Sequence, residues 1–144
     1  MPLVSSTGLK NAVLATSSLS AALAGGKIRI FGGVAPADAD AAETGTLLCA
    51  ISVNGTATGL TFEATPVNGA ISKNTAETWS GTNVASGTAT YYRFVAPGDT
   101  GAASTTQVRL QGTVGLVGAN LNLSNVNLVS GAPQSIDAYS ATLL

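Results

Sequence analysis

A chain of 144 residues fits one domain and is long enough to bury a sizeable core. Only 9% of its residues are charged and the net charge is −1, against roughly a quarter charged in an average soluble domain. A surface solvated by Ser, Thr, Asn and Gly is therefore expected, with little repulsion between copies. The six cations (Lys10, Lys27, Arg29, Lys73, Arg93, Arg109) are scattered, which argues against nucleic acid as a partner, because phosphate binding needs clustered Lys and Arg. There is no run of about 20 apolar residues to span a membrane. The N-terminus also lacks the basic-then-apolar pattern of a secretory signal.

Met1 to Ser6 reads as a short arm. From Thr7 to Ala24 the spacing of Leu9, Ala12, Val13, Thr16, Leu19 and Leu23 predicts one helix with a single apolar stripe. Ser6 or Thr7 supplies the N-cap, and Gly25-Gly26 the stop. A polar face of Ser and Thr leaves this helix weak until its stripe docks. It can dock on the chain's own β domain or on a neighbouring subunit. For the second case the interface candidates are Leu9, Val13, Leu19 and Leu23.

Lys27–Phe31 alternates as a strand. Pro36–Glu43 reads as a loop or one helical turn. Its acids Asp38, Asp40 and Glu43 invite a calcium reading, but an EF-hand loop starting at Asp38 needs Gly at its sixth position and Glu at its twelfth. Those positions hold Glu43 and Cys49. Thr46–Val53 is apolar enough for a buried strand, and Cys49 within it reads as a small buried hydrophobe. As the only cysteine, it has no partner for an intramolecular disulfide. Asn54-Gly55, Thr58-Gly59 and Asn68-Gly69 are turn signals around strands at Leu60–Ala64 and Ala70–Ser72. Ala76–Ser80 carries Trp79, expected in the core.

Thr88–Val95 is the densest β-type stretch. Thr88, Thr90, Tyr92 and Phe94 fall on one face, and Ala89, Tyr91, Arg93 and Val95 on the other. After the turn at Pro97–Gly101, Thr106–Val114 alternates again. A hairpin of the two strands is expected, with Arg93 and Arg109 as solvated side chains on a polar face. Asn120–Leu123, Val126–Val129 and a last strand in Ser135–Leu144 complete the pattern. The expected fold is mainly β: residues 1–26 form the arm and helix, and residues 27–144 form a β-sandwich or jelly-roll-like domain of eight or more short antiparallel strands.

Catalytic signals are scarce. The chain has no histidine, the commonest general base, metal ligand and partner of a Ser or Cys nucleophile. Gly25-Gly26-Lys27 leads into a strand, unlike a phosphate-binding loop. Glu63 and Glu77 are the only carboxylates on predicted strands, and nothing in the sequence pairs them at glycosidase spacing. The expectation is no enzyme, no cofactor and no metal.

Five blocks carry a family resemblance: Ala21 to Phe31, Pro36 to Leu48, Gly87 to Phe94, Gln111 to Gly115 and Gly118 to Leu123. In that order the chain resembles small virion proteins of tailed bacteriophages. The resemblance implies a structural part encoded among head and tail genes, and it supplies no catalytic residues. The implied role is a capsid decoration or cement protein, made in the host cytoplasm and residing on the particle. Its partners would be the major capsid protein or other virion proteins, and its own copies in a homo-oligomer. A tail- or fibre-associated part is the alternative, and a host-surface carbohydrate-binding module the second. The last would need exposed aromatic rings.

Overall fold

Residues 3–142 are described by the structure, a computed structural model. Met1 and Pro2 of the predicted arm, and Leu143 and Leu144 of the predicted last strand, lie outside the described residues. Strand makes up 38% and helix 10%, so the fold is mainly β, with antiparallel sheets and two short helices.

In chain order the elements are β1 (Val4–Ser5), α1 (Thr7–Ala15), α2 (Leu19–Leu23), β2 (Lys27–Gly32), β3 (Thr46–Val53), β4 (Ala70–Ser72) and β5 (Trp79–Thr82). Then follow β6 (Gly87–Thr88), β7 (Tyr91–Val95), β8 (Arg109–Gly115), β9 (Leu121–Asn122), β10 (Asn127–Leu128), β11 (Pro133–Ile136) and β12 (Ser140–Thr142). The main sheet runs β1-β8-β7-β2-β3-β5-β11, with β9 also on β8; β6–β10 and β4–β12 form two small sheets. The predicted hairpin is present as β7–β8, pairing Tyr91 with Thr113 and Val95 with Arg109.

Several expectations change. The single helix over Thr7–Ala24 is two. Thr16, Ser17 and Ser18 offer three hydroxyls that compete with the helical ladder. Ser18 instead caps α2, accepting from the Ala21 amide at 3.1 Å. Thr88–Val95 is not one strand, since Thr88 pairs with Asn127 of β10 and only Tyr91–Val95 joins the main sheet. Leu60–Ala64 makes isolated bridges at Leu60 and Phe62 rather than a strand. The last segment is two strands, β11 on β5 and β12 on β4. Pairing is not antiparallel throughout, because β9 runs parallel to β8.

Register dictates the core. Ile28 lies opposite Ile51 and Phe94, and Ile30 opposite Cys49 and Tyr92, all on one face. Leu110, Trp79 and Ile136 extend that face, and Leu60, Phe62, Ile71, Leu121, Tyr139 and Ala141 pack on it. The aromatics interlock: Phe62 stacks on Phe94 at 5.5 Å, and Trp79 meets Phe94 edge-on at 6.2 Å. Such pairs contribute about 0.5–1.5 kcal/mol each beyond their burial. Glu77 ties this corner together, accepting from the Trp79 indole, the Thr61 amide and the Thr61 hydroxyl.

The opposite face of the sheet is also buried, which overturns the reading of Arg93 and Arg109 as solvated. They are 0% and 1% exposed. The loop between β2 and β3 lies over them and offers its carbonyls as acceptors. Arg93 donates to the Asp38 carbonyl and to Gln111 Oε1, and Gln111 donates to the Pro36 carbonyl. Arg109 holds Asp99 through both carboxylate oxygens (2.6 and 2.8 Å) and also reaches the carbonyls of Ala39 and Ala102. Arg29 pairs with both oxygens of Glu43 at 2.9 Å. Phe31, two residues on from Arg29, alternates onto this same face and stacks on Tyr91 at 4.9 Å; the register shift at this point lies against β3, where Leu48 is the extra residue.

Candidate interaction surface

Two side chains, Ser6 and Asp40, fix where α1 begins. The Ser6 side chain caps the helix by accepting from the Leu9 amide, and also accepts from the Arg109 amide while donating to the Gln107 carbonyl. Asp40 receives the Thr7 amide (2.8 Å) and hydroxyl (2.5 Å). Those two bonds hold its carboxyl below the ordinary value of 3.8. Gly8 has no alternative residue, because a Cβ there would run into the backbone carbonyls of Thr106 and Gln107. The helix is thus bolted to the start of β8, and β1 beside it pairs with Gln111 and Leu110.

This placement leaves an apolar groove of about 440 Å³ between β1, α1 and α2, along the free edge of the sheet. Leu9, 1% exposed, lies deepest; Leu3, Val4, Val13 and Leu19 are half-buried, and Leu14 stands 84% exposed at the rim. Among the described residues, Lys10 is the only charged one in its lining.

The four predicted interface residues therefore separate. Leu9, Val13 and Leu19 line the groove, while Leu23 is buried in the chain's own core. Leu9 serves both, since it belongs to the core as well. Sequence reasoning did not pick out Leu3, Val4 or Leu14. Leu3-Val4 was a visible apolar pair inside the supposed arm, whereas Leu14 lies off the stripe and carried no signal.

The other candidate residues serve packing and bonding within the chain. Cys49 is fully buried, and burial pushes its thiol up to about 11. The acids of the Pro36–Glu43 loop accept from the chain itself: Asp38 from Ala41, Asp40 from Thr7, Glu43 from Arg29. Glu63 clamps the Thr75 amide and hydroxyl. Each of the seven aromatic rings is at least nine-tenths buried, from Trp79 at 0% to Phe62 at 9% exposed. A polar recess of about 390 Å³ near Ser72, Asn120, Asn122 and Asp137 has Tyr139 as its one aromatic lining residue, and that ring, 5% exposed, offers little face for stacking a sugar. No helix of the described residues is long and apolar enough to cross a membrane. Compared with known protein families, characterised proteins and solved structures, the chain finds no match.

Proposed function

We propose that this chain is a structural component of a tailed-phage particle, most simply a capsid decoration or cement protein built as a β-sandwich. The sequence blocks that resemble small virion proteins support the phage assignment. The observation that carries a role in assembly is the apolar groove beside the edge strand β1, set in a surface with few charges. Free strand edges and apolar grooves are the places where one chain can add to another. Contacts of this size are individually weak, and repetition over a particle makes weak contacts sufficient. The partners are the major capsid protein and further copies of this chain. The burial of all seven aromatic rings weighs against the sugar-binding alternative.

The test is to separate heads from tails of purified particles and quantify the chain by mass spectrometry. Decoration requires high copy number on tail-free heads. Recovery only with tails moves the role to the tail, and absence from particles rejects the proposal.

A further inference from the structure

The same chain carries a knob that matches the groove. Strand β8 ends at Gly115, and Leu116 and Val117 follow, 57% and 89% exposed, before Gly118 turns the chain. They are the only adjacent pair among the exposed large hydrophobics of the described residues. Val34, Val67, Val84 and Val129 stand singly. Isolated exposed aliphatics are ordinary, whereas a protruding pair between two glycines is a shaped apolar feature.

We propose that the Leu116–Val117 tip of one copy seats in the groove of Leu3, Val13, Leu14 and Leu19 on the next copy. The proposal deepens the multi-copy reading above and rests on it. The tip does not reach the groove of its own copy. The groove lies beside β1, opposite Leu110–Gln111, whereas the tip is five residues further along β8, about 17 Å away in extended chain.

Size and charge both point to a second copy's tip as the occupant. Nine of the described residues line the groove, well short of the roughly 20–30 a side that a stable two-body interface uses. A flat dimer face is therefore a poor fit, and a narrow two-residue insertion a good one. The tip is uncharged, the groove has only Lys10 at its margin, and a net charge of −1 sets up little repulsion between copies. Tip and groove are different surfaces, so the contact is head-to-tail and propagates into closed rings or open filaments rather than stopping at a dimer.

The experiment uses the full chain in sedimentation-velocity runs over a concentration series. Wild type is expected to self-associate beyond the dimer. A tip variant (Leu116→Asp with Val117→Asp) and a groove variant (Leu14→Asp) are each expected to lose self-association. Leu14 is exposed, so its replacement leaves the core intact; unchanged circular dichroism and melting temperature verify this. Mixed at equal concentration, the two variants retain one intact tip and one intact groove, and are expected to form a dimer that grows no further. Wild type remaining monomeric at the highest attainable concentration overturns the proposal. So does either variant associating like wild type, or a mixture that stays monomeric. These outcomes are independent of whether the chain occurs in particles, so the tip contact and the virion role fail separately.

Discussion

Tyr92 and Phe94 on one face of β7, and Tyr91 and Arg93 on the other, are equally screened from water at 0–1% exposure. The means differ. The first face is closed by interlocked aliphatic and aromatic side chains. The second is closed by the β2–β3 loop, with help from Ala102 of the β7–β8 loop, and their backbone carbonyls stand in for water around two guanidiniums. Alternation of apolar and polar residues along a strand thus does not imply a wet face. A polar side chain can be buried wherever acceptors are delivered to it. The second face is the less complete of the two. Arg93 has no carboxylate within ion-pair distance among the described residues, and its Nη1 is buried without a hydrogen-bond partner.

The largest expected effect comes from the apolar face. Phe94→Ala opens a cavity among Phe62, Trp79 and Tyr139 and is expected to cost about 3–5 kcal/mol, read from urea unfolding. On the other face, Asp99→Ala leaves Arg109 buried without its carboxylate. The Ala39 and Ala102 carbonyls remain as acceptors, so the cost should lie near the lower end for a broken buried pair, about 3 kcal/mol. Replacing both partners, Arg109→Met with Asp99→Leu, should recover most of that loss. If the double variant is no better than the single, the pair is needed to seat the loop and the comparison must be redrawn.

Arg93→Met sharpens the contrast further. It removes an unpartnered buried donor but also the bonds to Gln111 and Asp38, so a net change within about 1 kcal/mol is expected. A loss as large as that of Asp99→Ala would show that the two arginines act as one unit.

Acid should distinguish the faces as well. Burial alone would raise the Asp99 carboxyl, but its bonds to Arg109 and the Gly101 amide win and hold it below 3.8. A depressed folded value stabilises fully above the unfolded value and is lost as pH falls below it. Stability of the wild type should therefore decline below about pH 4, with Asp40 and Glu77 contributing in the same sense. Asp99→Asn should flatten part of that slope, whereas Phe94→Ala should leave it unchanged. The smallest effect concerns Cys49. With its thiol raised to about 11 and fully buried, labelling by a thiol reagent at mild alkaline pH should be no faster than opening of the fold. Rapid stoichiometric labelling would contradict a tight apolar face.

Much of the architecture was legible locally. Thr46–Val53 is a strand with the predicted bounds, and Ser6 is the cap of α1. Asn54-Gly55 and Asn68-Gly69 both place two successive residues at positive φ, the conformation that Asn-Gly favours in tight turns. The β7–β8 hairpin followed from two alternating runs around Pro97–Gly101. Of the groove, the sequence showed the stripe residues Leu9, Val13 and Leu19, but not the strand that walls it, because a two-residue β1 is too short to show periodicity.

Alternation, turn residues and caps act over a few positions, so the sequence by itself determined the central strands β2, β3, β7 and β8, the turns beside them and an apolar face able to form a core. Only the tertiary structure decided what covers the other face and where the groove opens. Arg93, Arg109 and Gln111 find carbonyl acceptors in the β2–β3 loop, 55 to 75 residues away. Backbone carbonyls belong to every residue type, so no side-chain pattern marks the loop that supplies them.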